Sequence, residues 1–254
     1  MHLRKIMLLG LVWVCLTLPA AAQPTGTPEQ LFQQGLTALQ AGDTAKAVEL
    51  FSAVLAKDAR SATAYLNRGV AYRRLGKLKE ALADFDQALA LAPELGEALY
   101  NRALIHSLMG RAEQAAQDLT AALEHLPDDW QIYYNRGNAY LDLQRPEEAL
   151  ADYDAALKLR PQAPEVLHNR GLAHLMAGRP EAALADFDRT LALNPHFARA
   201  YYNKGQALEK LGRLTEARRA YRQFLEAADP EKDRGLMERT LAILKGLEGQ
   251  EGQK

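Results

Sequence analysis

An arginine and an aspartate recur together along this chain, and they are the residues whose spacing could do chemistry. Each arginine follows an asparagine, its aspartate stands at one fixed distance further along, and the motif returns at a constant period. A guanidinium and a carboxylate can form two parallel hydrogen bonds, whereas unpaired arginines bind an acidic ligand. Both roles are open, and we favour pairing within one copy or across to the next. The arginines are Arg68, Arg102, Arg136 and Arg170, with Lys204 in the last copy, and the aspartates are Asp84, Asp118, Asp152 and Asp186.

Catalytic chemistry finds little support in the sequence. Ser52, Ser61 and Ser107 are the only serines, and none lies in a nucleophile-elbow motif. His106 and His174 take a place that other copies give to tyrosine, so we expect them to pack rather than to bind a ligand. Metal-ligand spacings and a phosphate-binding glycine loop are both missing from the sequence. We therefore predict that the protein is not an enzyme and uses no cofactor or metal.

The elements that position these residues form a unit of constant length, written six times from Pro28 without insertion or deletion. The units cover residues 28–61, 62–95, 96–129, 130–163, 164–197 and 198–231. Within each unit the eighth place is small, the twentieth is alanine, and the twenty-fourth is aromatic or leucine. The eighth places hold Gly35, Gly69, Ala103, Gly137, Gly171 and Gly205, and the twenty-fourth hold Phe51, Phe85, Leu119, Tyr153, Phe187 and Tyr221.

Each unit predicts two helices. Tyr133, Gly137 and Tyr140 recur at helical spacing and form a stripe along one side of a helix. A second stripe at helical spacing follows in the same unit. Between the stripes stand residues suited to a left-handed helix end, namely Gly42, Gly76, Gly110, Gly178 and Gly212. A small residue on each helix lets the two backbones approach, and the aromatic side chain fills the space beside them. Residues 232–247 predict a further helix that caps the last unit, and residues 248–254 predict a flexible polar tail.

This pattern resembles the tetratricopeptide repeat, over residues 28–231. The period of that family, about 34 residues, is the length of every unit here. The resemblance implies an all-α fold, a right-handed α-solenoid of six helix-turn-helix repeats, which the capping helix completes. Departures from the family pattern are local. Ala103 replaces the small glycine, His106 and His174 replace a tyrosine, and Gln144 replaces a turn glycine.

The resemblance also implies a binding surface. In this family the first helices line an inner wall, where an Asn side chain can clamp a peptide backbone. The tyrosines at the fifth place of this chain are our candidate anchors, because tyrosine gives a large contact area at little cost in entropy. The repeated asparagines could equally bond between helices, and both readings are open. The lysine that the family uses at the fifth place to bind acidic chaperone C-termini is missing from every unit. The candidate groove residues are Leu66, Asn67, Arg73, Arg74, Tyr100, Asn101, Tyr134, Asn135, Asn138, His168, Asn169, Tyr202 and Asn203.

Residues 1–22 predict a secretory signal peptide, followed by a short linker at 23–27. A basic start at Arg4 and Lys5, an apolar run of about 13 residues and small residues up to Ala22 support cleavage there. The alternative is a membrane anchor, but a spanning helix needs about 20 apolar residues. The only cysteine, Cys15, lies in this segment. Without Arg4 and Lys5 the net charge of −1 becomes about −3, so we expect no nucleic-acid or anionic-membrane binding.

Three functional hypotheses follow. The first is a periplasmic or secreted scaffold that binds a protein or peptide in its concave groove, in the assembly of cell-envelope complexes. The second is a chaperone-like or secretion-assembly subunit that holds an amphipathic helix of its client. The third is an accessory of a hydrolase or transferase with its own catalytic centre, for which His168 would be the candidate. We favour the first, with no membrane span in the mature chain and no small-molecule substrate.

Overall fold

The computed structural model describes residues 24–249, and the predicted signal peptide lies outside the described residues. Thirteen α-helices and no strand make up the regular structure of the described part. They are α1 Pro28–Ala41, α2 Thr44–Lys57, α3 Ala62–Arg74, α4 Leu78–Leu91, α5 Gly96–Leu108, α6 Ala112–His125, α7 Trp130–Asp142, α8 Pro146–Leu159, α9 Pro164–Met176, α10 Pro180–Leu193, α11 Ala198–Lys210, α12 Leu214–Ala227 and α13 Arg234–Gly249.

The helices pair as the sequence predicts. Each odd-numbered helix from α1 to α11 packs against the helix that follows it, and each pair packs against the next pair. Packing therefore joins helices that are near neighbours along the chain, which is the architecture of an α-solenoid. The prediction of six helix pairs followed by a capping helix is confirmed.

A glycine in the first helix and an aromatic ring in the second hold each pair together in five of the six units. A Cβ atom built on Gly69 would lie 2.6 Å from Cε1 of Phe85, and one on Gly137 would lie 2.7 Å from Cε1 of Tyr153. Real Cβ atoms do not approach a ring so closely, so these positions need glycine. The twentieth-place alanines are fully buried beside the rings, which lets the helix backbones come close.

The turn between the two helices of a unit passes through the left-handed region. Five turns use glycine there, with φ between 70° and 81°. In the fourth unit Gln144 adopts φ 58°, and it is the only non-glycine residue with positive φ in the described part of the chain. The turn geometry has thus been kept where the sequence lost its glycine, at a cost in backbone strain.

The C-terminal end of the capping helix lies further along the chain than predicted. It begins at Arg234, slightly later than expected, and continues through Glu248 and Gly249 into the segment predicted as a polar tail. Leu247 is buried, and Glu248 pairs with Arg222 of α12 at 2.9 Å. These contacts explain why the helix extends, and residues 250–254 lie outside the described residues.

Candidate functional site

The first helices of the units define the inner face of the solenoid. Consecutive first helices (α1, α3, α5, α7, α9 and α11) contact one another across the units. Comparable contacts between consecutive second helices do not occur in residues 24–249. A stack in which one set of helices converges is concave on that side. We call the exposed side of the first helices the inner face.

The predicted arginine–aspartate pairs form in all four units, each within its own unit. In the fourth unit Nε of Arg136 donates to Oδ2 of Asp152 at 2.8 Å, and Nη2 donates to Oδ1 at 2.7 Å. Only 18% of the Arg136 side chain and 5% of the Asp152 side chain are exposed. The hydrogen bonds to Asp152 raise the pKa of Arg136, which keeps the guanidinium charged. These arginines are therefore structural and not available to an acidic ligand.

The third nitrogen of each guanidinium reaches back to the preceding unit. Nη1 of Arg136 donates to Thr120 at 3.1 Å, and Nη1 of Arg170 donates to Asp154 at 2.6 Å. The last unit has Ala220 at the place of the paired aspartate, and its Lys204 pairs instead with Asp188 of the preceding unit at 2.6 Å. Each of these cations thereby ties one unit to its neighbour.

The environment of the arginine alternates from unit to unit, a feature that our sequence reasoning missed. Arg136 lies between the rings of Tyr133 and Tyr140, both 5.9 Å from its guanidinium, and Arg68 is flanked by tyrosines in the same way. In the third and fifth units the arginine instead has a histidine of its own unit nearby, and it pairs with a second aspartate that the preceding unit supplies. The sequence contains this alternation, because the fourth place of the units alternates between leucine and tyrosine. The fourth places hold Leu31, Tyr65, Leu99, Tyr133, Leu167 and Tyr201.

The two histidines of this alternation are packing residues, as predicted. Nε2 of His106 lies 3.8 Å from Asp118, and Nε2 of His174 lies 3.9 Å from Asp186. Nδ1 of each ring is buried without a hydrogen-bond partner among the described residues. Burial lowers the pKa of both histidines, so both rings are neutral at pH 7.

The repeated asparagines bond between units in the second half of the solenoid. Nδ2 of Asn135 donates to the hydroxyl of Tyr100 at 3.3 Å, and Nδ2 of Asn169 donates to the hydroxyl of Tyr134 at 3.1 Å. In the first half the amides of Asn67 and Asn101 donate to carbonyls of their own helices, both at 2.8 Å. The inter-helix role left open by the sequence is thus observed where a tyrosine or histidine occupies the fifth place of the preceding unit.

His168 lies at the centre of the most connected part of this network. Its Nε2 accepts from Nδ2 of Asn203 at 2.8 Å, and its Nδ1 lies 3.0 Å from Oδ1 of Asn169, to which it donates. The ring also stacks on Phe197 with 4.8 Å between centroids. Burial lowers the pKa of His168, and the charge of Arg199 lowers it further. Both ring nitrogens are occupied, so His168 is not placed as a catalytic base.

The prediction is wrong for three of the groove residues, because their side chains are buried. Leu66 is 4% exposed, His168 is 7% exposed and Asn203 is 9% exposed, so they offer almost no surface to a partner. For Leu66 and His168 the reason is that fifth-place side chains pack on the core aromatic of their own unit, as the ring of His168 does on Phe187 at 5.8 Å. Asn203, at the sixth place, is buried against His168, to which its amide donates. The neighbouring units cover the remaining surface of these side chains.

The other predicted groove residues keep some exposure. Arg74 is exposed, and the remainder are partly buried. The three fifth-place tyrosines are partly buried for two reasons. The rings of Tyr134 and Tyr202 rest on core tyrosines, and the hydroxyls of Tyr100 and Tyr134 accept hydrogen bonds from the next unit. The partly buried residues are Asn67, Arg73, Tyr100, Asn101, Tyr134, Asn135, Asn138, Asn169 and Tyr202.

Residues 24–249 lack two other features, a metal-binding cluster and a membrane-spanning helix. A group of three or more His, Cys, Asp or Glu side chains that could hold a metal ion is not found in this part of the chain. Its helices are also too short or too polar to cross a membrane.

Comparisons with known proteins agree with this geometry. The model of the tetratricopeptide repeat matches residues 32–96 and 168–232, and related repeat models match residues 96–124, 119–151 and 137–178. A search of curated protein sequences gives no significant match.

Solved structures of similar fold are numerous. A tetratricopeptide repeat protein from Parabacteroides merdae is 22% identical with a TM-score of 0.68, over 87% of this chain and 92% of that one. YrrB, described as a TPR protein with an unusual peptide-binding site, is 21% identical with a TM-score of 0.66, over 76% of this chain and 98% of its own. MamA is 23% identical with a TM-score of 0.62, over 68% of this chain and 94% of its own.

The fold and the inner face together define an α-solenoid of the class that serves as a scaffold for protein interactions. The matched residues make the assignment specific: the chain belongs to the tetratricopeptide repeat family.

Proposed function

We propose that the protein is a non-catalytic scaffold that binds a segment of a partner protein along its inner face. The observation that carries the proposal is the exposure of large apolar side chains on that face. Leu108 is 67% exposed and Met176 is 42% exposed, and both stand at the last position of a first helix. A contiguous apolar patch with a polar rim is typical of binding surfaces. The partly exposed Leu104, Leu141 and Leu175 of the first helices add apolar surface to this face.

The internal hydrogen bonds support the same proposal, because they show which polar side chains of the inner face are already bonded within the protein and which can contact a partner. The repeated arginines are paired with the aspartates of their own units and also bond to the preceding unit. Three of the five repeated asparagines bond to other units. Asn67 and Asn101 remain the best candidates for contact with a partner backbone, because they reach only their own helices. A rigid face with a few free polar groups binds by preformed shape, which limits the entropy lost on binding.

We further propose that the scaffold is exported and works in the assembly of cell-envelope complexes. The support is the signal-like segment at residues 1–22, which predicts a mature protein beginning at Gln23. N-terminal sequencing of the protein from the periplasm or medium tests this directly. Recovery of the uncleaved chain from the cytoplasm or the membrane would contradict it.

A selection from a random peptide library tests binding itself. The native protein should enrich binders that a Leu108→Glu/Met176→Glu variant no longer retains, since both side chains lie on the inner face. A matched control is Leu91→Glu/Leu159→Glu, at exposed leucines that end second helices. Equal retention by both variants would move the binding site elsewhere, and failure to enrich any binder would contradict the proposed function. Enrichment of amphipathic helices alone would favour a chaperone-like subunit.

A further inference from the structure

One row of side chains runs along the inner face and leaves its charges uncompensated. The thirteenth place of each unit lies at the C-terminal end of a first helix, and it is exposed in every unit. From the second unit to the sixth the residues are basic, apolar, acidic, apolar and basic. They are Arg74, Leu108, Asp142, Met176 and Lys210, and we call them the thirteenth-place row.

The charges of this row do not satisfy one another. Arg74 donates a hydrogen bond to the carbonyl of Leu39 at 2.7 Å, which fixes its position without neutralising it. Across residues 24–249, Arg74, Asp142 and Lys210 form no ion pair. Arg74 and Asp142 stand two units apart, so about 16–20 Å separates them at the usual spacing of packed helices. That exceeds the screening length of about 8 Å at physiological salt, so the charges act independently.

The usual spacing of packed helices favours one conformation for a segment bound along the row. Neighbouring packed helices lie about 8–10 Å apart. A chain in the polyproline II conformation rises about 3.1 Å per residue with three residues per turn, so every third side chain points the same way at intervals of about 9.3 Å. A helix would return to the same face after about seven residues, at about 10.5 Å, and the mismatch grows over five units. The extended conformation fits the row better.

We propose that the thirteenth-place row selects an extended partner segment with complementary side chains at every third position. In order these are acidic, apolar, basic, apolar and acidic. The pattern reads the same in both directions, so it specifies the register of the segment and not its polarity. This inference rests on the proposed function and deepens it by naming the chemistry of the partner.

Synthetic peptides test the inference. A labelled peptide carries glutamate at positions 1 and 13, leucine at 4 and 10 and lysine at 7, and its control has the charges exchanged. By fluorescence anisotropy at low salt, the native protein should bind the first peptide about tenfold or more tightly than the control, since each exposed ion pair changes affinity by up to about fivefold. Equal affinities would overturn the inference.

A charge-exchanged protein supplies the reciprocal measurement. The variant Arg74→Glu/Asp142→Lys/Lys210→Glu changes only exposed side chains, and circular dichroism checks that it folds. It should prefer the control peptide by a similar factor, and a preference for the original peptide would overturn the inference. A longer peptide with the same order at every seventh position, if it binds more tightly, would overturn the extended conformation.

Failure of this inference is distinguishable from failure of the proposed function. If library peptides bind the inner face but lack the charge pattern, only the inference falls. If neither library peptides nor designed peptides bind, the proposed function falls with it.

Discussion

Arg136 and Asp152 are joined by two parallel hydrogen bonds, from Nε to Oδ2 at 2.8 Å and from Nη2 to Oδ1 at 2.7 Å. The same pair recurs in three other units with nearly the same distances. The aspartate is buried and the arginine also reaches the preceding unit, so the pair holds helices together and does not bind a ligand. Its role is therefore measurable as stability.

Removal of one partner of this pair should destabilise the protein. Arg136→Ala leaves the carboxylate of Asp152 buried and unpaired, and we expect a loss of about 3 kcal/mol in the free energy of unfolding. Arg136→Met with Asp152→Leu removes both charges, and should cost less than the single substitution. Chemical denaturation measures both changes.

The same variants distinguish structure from binding. Arg136→Ala should leave the affinity for a selected peptide unchanged at a temperature where the variant is folded. If affinity fell while the melting temperature stayed the same, the arginine would belong to the binding surface.

Ala103 and Leu119 form a matched substitution in the third unit. Both are fully buried, and they occupy the places that other units give to glycine and an aromatic ring. In those units a Cβ on the glycine would lie 2.5–2.7 Å from the nearest ring atom. Leu119→Phe alone should therefore cost about 1–3 kcal/mol through overpacking. Ala103→Gly added to it should recover part of the loss, and a double-mutant cycle measures the coupling. Additive effects would show that the two places do not share space.

Gln144→Gly should stabilise the protein. Gln144 is held at φ 58°, where glycine is free of the steric penalty that an L-residue meets. We expect a gain of about 1 kcal/mol and a rise of about 2–4 °C in the melting temperature. The matched control is Gln40→Gly on the exposed face of α1, which should lower stability because it lies in a helix.

Stability should fall in mildly acidic solution. Burial lowers the pKa of His106, His168 and His174 in the folded protein, so the unfolded chain binds protons more readily. The stability that depends on neutral rings is complete above the unfolded value of about 6.5 and is lost as the pH falls toward the lower folded values. The melting temperature at pH 5 should therefore lie below that at pH 7.5.

His168 should carry part of this dependence. Protonation would place a hydrogen on Nε2 against the amide of Asn203, which donates to that atom. His168→Gln should make the melting temperature less dependent on pH, whereas His196→Gln, at an exposed position, should not. An unchanged dependence in the His168 variant would contradict the assignment.

Much of the fold could be predicted from the sequence because the repeat aligns without gaps. The period places Arg136 and Asp152 on two helices of one unit, and their co-occurrence in four units predicts that they pair. The turn glycines predict where helices end, and Gln144 shows that the backbone keeps its course when one is lost. These features depend on contacts within a unit, where helical spacing is informative.

The binding surface was harder to predict because it depends on contacts between units. Helical spacing tells which side of its own helix Leu66 or His168 lies on, but not how far the neighbouring unit covers it. The bond between Asn203 and His168 joins two units and depends on the angle between them. Position in the unit predicts the inner face as a whole, while burial decides which side chains are available.

Photocrosslinking tests the central claim, that a partner segment lies along the inner face. A photoreactive amino acid is placed at Leu108 or Met176, and at Leu91 or Leu159 as the control, and crosslinks to a library-selected peptide are mapped by mass spectrometry. The account predicts crosslinks from positions 108 and 176, about six peptide residues apart because two units separate them. Crosslinks from positions 91 and 159, with none from positions 108 and 176, would contradict it.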